Sequence, residues 1–308
     1  MKISTCTSVF NDYGNFFEII KMMKDAGFDA YDVTIFTSSV FVLDQAYTVK
    51  GIKKWSAEKI KELEVDNPKV IDVEMAKKLR VYADEIGIVC NQTHAPYPSA
   101  FVGAKGYNEY AIQNIIESLE ITSILGAKIC VVHPANDYTP EQNAELYNRL
   151  KPYAIKFGVK IALENMWNWD WEKDEALPAA CSHHDNFLKH LELLDQNVFC
   201  ACLDLGHSEM RGLNTCAVEM IKTLGNKIKA LHIHDTDLHD DLHTWPYFSK
   251  IDFAPIWKAL GEIGYDGDVT FECWSQVKKL PKELVKPSAV FQAEIGKYIR
   301  EQIIKNRG

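Results

Sequence analysis

One pattern recurs along the chain and limits what it can fold into. A helix-like segment ends in glycine, and a short β-branched run follows. The glycines are Gly27 (AGFDAYDVTI), Gly87 (IGIVCNQTH), Gly126 (LGAKICVVH), Gly158 (FGVKIALEN), Gly225 (LGNKIKALHIH) and Gly264 (IGYDGDVTFE). Glycine relieves strain at the left-handed residue that closes a helix, so each one marks a passage from helix to strand.

Two further runs, KISTCTS at the start and VFCACLD after Asn197, complete a set of eight strands. They are expected at about residues 2–7, 29–35, 88–94, 128–133, 159–164, 198–204, 228–235 and 268–273. Helical stretches such as NEYAIQNIIESLEITSIL separate them. Eight strands alternating with helices predict a parallel sheet, and the count suggests a closed (β/α)8 barrel. A doubly wound open sheet is the alternative, but no G-x-G-x-x-G follows any strand, which removes its usual nucleotide-binding form. No linker, low-complexity tract or charge block divides residues 1–308, so one α/β domain is expected. The longest irregular stretches, 36–67, 165–182, 236–252 and 274–287, all follow strands. Barrels of this kind build active sites on that face.

Composition narrows the class. Hydrophobic residues make up 47% and charged residues 25% of the 308, an ordinary globular balance. No apolar run approaches the roughly 18 residues of a membrane span, and the N-terminus lacks a signal-peptide core. The formal charge of −9 (34 basic against 43 acidic residues) disfavours a general phosphate-backbone binder, so no nucleic acid and no membrane are expected as partners. The eight cysteines include no C-x-x-C pair and read as small buried hydrophobes in a reducing compartment, which predicts a cytoplasmic protein.

Ionisable residues crowd the carboxyl ends of the strands. Strand three ends in Thr93-His94, strand four in Val132-His133-Pro134, and strand five in Leu163-Glu164-Asn165. Strand six runs Cys202-Leu203-Asp204-Leu205-Gly206-His207, strand seven Leu231-His232-Ile233-His234-Asp235, and strand eight Thr270-Phe271-Glu272. Side chains alternate along a strand. Ala162 therefore shares a face with Glu164, Cys200 and Cys202 with Asp204, and Ala230 with His232 and His234. A lone buried His is usually a hydrogen-bonded core residue, and a lone strand-end Asp usually caps the next helix. Six successive strands ending this way are different, because each uncompensated buried charge costs several kcal/mol. A bound cation is the economical explanation. Oxygen ligands with an imidazole suit Mn²⁺, Mg²⁺, Co²⁺ or Zn²⁺.

The runs ALEN, CLDLGH, LHIHD and VTFEC, in this order, resemble the xylose-isomerase-like TIM barrels across essentially the whole chain. That superfamily holds sugar-phosphate isomerases and epimerases, related dehydratases and apurinic-site endonucleases. The resemblance to its ketose 3-epimerase branch implies one divalent metal, Mn²⁺ foremost, held by Glu164, Asp204, His232 and Glu272. His232 is favoured over His234 because the family's metal histidine lies three residues before an acidic or amide residue, here Asp235. The resemblance also makes His207 a substrate-contacting catalytic histidine and places His94, His133 and His234 near substrate. Trp167, in the Trp-rich segment 166–171, and Trp274 are candidate sugar-stacking rings.

The implied reaction is isomerisation or epimerisation of a sugar or sugar-derived carbonyl compound. The metal stabilises an ene-diolate while Glu164 and Glu272 serve as acid and base. The 3-epimerase branch also places an Arg in the loop after strand seven, and residues 236–252 contain none. A lyase or dehydratase of the same fold is the alternative, including a carbon-glycoside-cleaving subunit with a small partner protein. The nuclease branch implies a three-zinc site, for which His94, His133, Glu164, Asp204, His207, His232, Asp241, His243 and Glu272 are available. The acidic loop argues against a DNA partner. Family members are often dimers or tetramers, so a homo-oligomer is expected.

Overall fold

The computed structural model describes residues 1–36 and 69–308. Ten strands are present among the described residues: β1 (Ile3–Thr5), β2 (Ala30–Thr34), β3 (Val89–His94), β4 (Ile129–Val131), β5 (Lys160–Glu164), β6 (Trp167–Asp170), β7 (Glu175–Pro178), β8 (Phe199–Asp204), β9 (Ile228–His232) and β10 (Val269–Phe271). The strands β2, β3, β4, β5, β8 and β9 pair in that order, all parallel. β10 pairs in parallel with β1, in the register Ile3 to Val269. Two parallel bridges, Cys6 to Asp32 and Ile233 to Phe271, join this pair to the six-stranded sheet on both sides. The ring is the closed (β/α)8 barrel rather than the open sheet.

The helices alternate with the strands: α1 (Phe16–Ala26), α2 (Val73–Ile86), α3 (Lys105–Leu125), α4 (Pro140–Phe157), α5 (His184–Glu192), α6 (Leu205–Ser208), α7 (Ala217–Leu224), α8 (Phe253–Glu262) and α9 (Lys282–Lys305). Gly27, Gly87, Gly126 and Gly158 each close a helix in the left-handed region, with φ of 101°, 73°, 81° and 65°. Asn15 and Thr139 open α1 and α4 with capping boxes, which satisfies two orphan donors at each start.

Strand alternation sorts the side chains. Ile161, Leu163, Ala201, Leu203 and Leu231 join the large core between strands and helices. The interior holds a separate group of small residues: Val131, Ala162, Cys200, Cys202 and Ala230. A parallel barrel is dry on both faces, so neither side of these strands tolerates an unpaired polar group. Where polar residues enter the interior they are tied together. Ser4 donates to Asn91 at 2.8 Å, and Asn91 donates to Thr270 at 2.9 Å.

Two of the expected irregular stretches carry structure. Residues 165–182 contain the antiparallel hairpin β6–β7, and 274–287 contains a 3-10 turn and the start of α9. The hairpin forms because Trp169 and Ala176 pack with Met210 and Leu213. The stretch 36–67 falls, beyond Phe36, outside the described residues. No helix among the described residues is long and apolar enough to cross a membrane. All eight cysteines are free thiols, and all but Cys216 are buried.

Candidate active site and metal centre

The carboxyl ends of the barrel strands bring His94, His133, Glu164, Asp204, His207, His232, His234 and Glu272 into one mouth. Glu164 closes β5 and is almost fully buried. Its Oε1 lies 3.0 Å from His232 Nδ1 and 3.7 Å from His207 Nδ1, and its Oε2 lies 2.8 Å from His133 Nε2. Glu272, just past β10, stands across the mouth. One of its oxygens is 3.7 Å from His232 Nδ1, and the other is 3.6 Å from His94 Nε2. The His94 and His232 rings stack at 4.5 Å. Glu164 and Glu272 thus flank the same imidazole nitrogen.

Asp204 sits on the other side of the mouth. Its Oδ1 lies 2.9 Å from His234 Nε2 and caps α6 by accepting from the His207 backbone N–H at 2.8 Å. His207 in turn meets Asp241 Oδ2 at 3.3 Å, and the same oxygen is 3.1 Å from His243 Nε2. His207, His234, Asp241 and His243 form a compact group whose candidate ligand atoms all lie within 4.8 Å of one another. A second group of the same kind is His94, His133 and Glu164, and a third is His94, His232 and Glu272. Asp204 therefore meets His234, whereas Glu164 and Glu272 meet His232.

Gly206 makes room for this arrangement. A Cβ at that position would come within 2.0 Å of the His234 ring. Asn165 fixes the junction between β5 and β8: its side chain accepts from Asp204 N at 2.8 Å and donates to Asp204 O at 2.9 Å. The aromatic candidates line the rim. Trp274 stacks on His243 at 3.5 Å, and Trp167 meets His207 edge-on at 6.4 Å. Trp169 turns away into the hairpin core, and Trp171 is largely exposed. The acidic run of the strand-seven loop is dispersed. Asp235 accepts from Ser249 and Ile251 backbone N–H groups, Asp237 from those of His239 and Asp240, and Asp241 alone enters the mouth.

The charges balance locally. Burial pushes the Glu164 and Asp241 carboxyls up, but the neighbouring imidazoles outweigh it: His232 and His133 for Glu164, His243 and His207 for Asp241. Both are held well below the usual range. Burial likewise lowers His207, His232 and His234, yet the carboxylates around them, and for His232 also the Cys202 side chain, raise all three.

The donor set fits a divalent metal on the structure's own terms. His94 Nε2, His133 Nδ1, Glu164 Oε2, Asp204 Oδ2, His232 Nδ1, Asp241 Oδ1 and both ring nitrogens of His234 are buried without an aligned hydrogen-bond partner. Buried imidazole and carboxylate atoms normally have one. Imidazole nitrogens and carboxylate oxygens gathered this densely, in short shared contacts such as Glu164 with His133 and Asp204 with His234, make a donor set that suits a cation of this class.

Two residues of this neighbourhood carried no signal in the sequence. Asp32 and Gln92, both fully or nearly fully buried, lie behind His94 and His232. Neither stands at the carboxyl end of its strand, where the other ionisable residues cluster.

The comparisons with known proteins agree with this architecture. The family model described as the xylose isomerase-like TIM barrel matches residues 20–295. The chain belongs to that family. Among solved structures, a D-tagatose 3-epimerase-like protein superposes with a TM-score of 0.71 at 19% identity, covering 99% of each chain. A D-psicose 3-epimerase determined in the presence of D-fructose gives 0.67 at 14% identity, covering 97% of this chain and 99% of that one. The IolI protein with a bound zinc atom gives 0.66 at 18% identity, covering 99% of both. At these identities the likeness is one of fold. Among curated relatives, an inosose dehydratase of Clostridium perfringens is 24% identical over 68% of this chain and 76% of its own length. An uncharacterised protein of Methanocaldococcus jannaschii is 26% identical over 58% of this chain, and the match spans 62% of that relative.

Proposed function

We propose that the protein is a divalent-metal-dependent isomerase or epimerase of a sugar or sugar-derived carbonyl compound. The observation that carries this reading is the approach of both Glu164 and Glu272 to His232 Nδ1, at 3.0 and 3.7 Å, at the carboxyl end of the barrel. Moving a proton on a carbon beside a carbonyl requires a carboxylate base near the carbon and an acid able to return the proton. Glu164, which meets His133 and His232, is the more buried of the two. Glu272 is the more exposed, and meets His94 and His243. Glu164, Asp204, His232 and Glu272 are the proposed ligands, with His94 and His133 beside them. A bound divalent ion would supply Lewis-acid polarisation of the carbonyl. His207 is proposed to orient a substrate hydroxyl, with its ring held by the Asn165 carbonyl, 2.9 Å from Nδ1. Trp167 and Trp274 are proposed to bound the sugar face. The substrate is a small carbohydrate, and a homo-oligomer is the proposed assembly.

The test is solvent exchange. Metal-loaded protein incubated in deuterated water with a panel of ketoses should place deuterium beside the carbonyl of its substrate. Glu164→Gln and Glu272→Gln should each lower that rate at least 100-fold. Exchange at the wild-type rate in both variants would refute the assignment. Dehydration is the second reading, favoured by the relatives named inosose dehydratase. Loss of water from a cyclic keto-polyol, without label return to the substrate, would bring it forward. Two or three zinc ions per chain together with cleavage at abasic sites in DNA would instead favour the nuclease branch. The group His207, His234, Asp241 and His243 makes that stoichiometry worth measuring.

A further inference from the structure

We propose that Asp32 is the positioning residue of the mouth: one buried carboxylate that, directly and through Gln92, decides which ring nitrogens of His94 and His232 are turned toward the catalytic carboxylates. The inference deepens the metal-site reading and rests on it for its affinity arm only.

Asp32 is fully buried in β2 and, among the described residues, touches no cation of lysine or arginine. Three groups among the described residues meet its two oxygens. His94 Nδ1 lies 3.1 Å from Oδ1. Gln92 Nε2 donates to Oδ2 at 3.1 Å, and the Cys6 thiol reaches the same oxygen at 3.6 Å. An ionised carboxylate only accepts, so the His94 nitrogen turned to it carries the proton, and Nε2 is the lone pair offered to the mouth. That Nε2 is one of the buried atoms without an aligned partner, 3.6 Å from Glu272.

Gln92 extends the same anchor to the second ring. Its Nε2 also donates to His232 Nε2 at 3.1 Å, which puts the His232 ring proton on Nδ1, the nitrogen facing Glu164 and Glu272, so a metal bound there would displace that proton. The stacked pair is thus held from behind by a single carboxylate. Outer partners of this kind typically change metal affinity 10- to 100-fold when removed.

The experiment uses the full chain labelled with ¹⁵N at histidine. In metal-free wild-type protein at pH 9, long-range ¹H–¹⁵N spectra should show His94 protonated on Nδ1. Asp32→Asn should abolish that fixed tautomer and weaken Mn²⁺ or Zn²⁺ binding about 10- to 100-fold, read by competition with a chromophoric chelator. Gln92→Leu leaves the Asp32–His94 contact in place, so it should keep the His94 signature while the His232 proton is no longer fixed on Nδ1. His94 protonated on Nε2 in the wild type overturns the proposal, and so does metal affinity within twofold of wild type in Asp32→Asn. If Asp32→Asn does not fold, the wild-type spectrum and Gln92→Leu still decide it. Wild-type protein that binds no metal would refute the proposed function, while the His94 tautomer would still test the role of Asp32.

Discussion

At the scale of single residues, the mouth is crowded to the point where a methyl group matters. Gly206 lies so close to His234 that a Cβ would come within 2.0 Å of its ring. Gly206→Ala should therefore displace His234 from Asp204. The expected cost is about 1–3 kcal/mol of stability, the usual range for overpacking, with a loss of metal affinity beyond what the stability change explains. Thermal unfolding and metal titration on the same sample separate the two effects. His207 offers a sharper distinction. It touches Asp241, Glu164 and the Asn165 carbonyl at once. His207→Ala should raise KM with metal content intact if the ring serves substrate. Loss of a bound ion would make it a ligand.

Elements explain what the sequence could and could not reveal. The eight barrel strands were legible to within two or three residues, because β-branched runs after helix-closing glycines carry a local signal. So was the alternation that puts Ala162 with Glu164 and Cys202 with Asp204. The hairpin β6–β7 was not, since two four-residue strands held by Met210 and Leu213 depend on contacts distant in sequence. Asp32 and Gln92 escaped for the same reason: neither ends its strand in a cluster, and their meaning lies in which rings they reach. The division of the mouth, with Asp204 against His234 and Glu164 against His232, is equally a property of packing. A further tertiary device lies in α4. Buried Asn143 accepts from Ala135 N at 2.9 Å and donates to Ala135 O at 3.2 Å, clamping the loop that follows His133. Asn143→Ala should cost about 1–3 kcal/mol by leaving those backbone groups unpaired. Chemical denaturation measures this, and a change within error would show the loop to be held by other means.

For the whole molecule, the buried ionic mouth links stability, protons and metal. His94, His207, His232 and His234 are all raised above the ordinary imidazole value despite burial. A group raised in the folded state adds stability that is fully present below the unfolded pKa, about 6.5, and is lost as pH rises through the folded value. A metal bound by these residues would take the place of those protons. Added Mn²⁺ or Zn²⁺ should therefore raise the melting temperature more at pH 8 than at pH 6. The expected gain is about 2.7 kcal/mol when free metal stands 100-fold above Kd. Scanning fluorimetry with and without chelator across that range tests the sign. Equal stabilisation at both values would show that protons and metal do not compete.

The pairing of β1 with β10 has a consequence for the order in which the molecule can be made. The ring's last seam joins Ile3 to Val269, and α9 lies over it so closely that a Cβ at Gly296 would be 2.5 Å from Ile3 and 3.0 Å from Phe271. A chain still emerging from the ribosome can assemble β1 through β9, but only as an open sheet whose two borders, β1 and β9, still await β10. Such borders invite pairing with other chains. The mouth spans that seam, because Glu272 arrives with the final strand. Glu272 therefore meets the other site residues only once the barrel has closed.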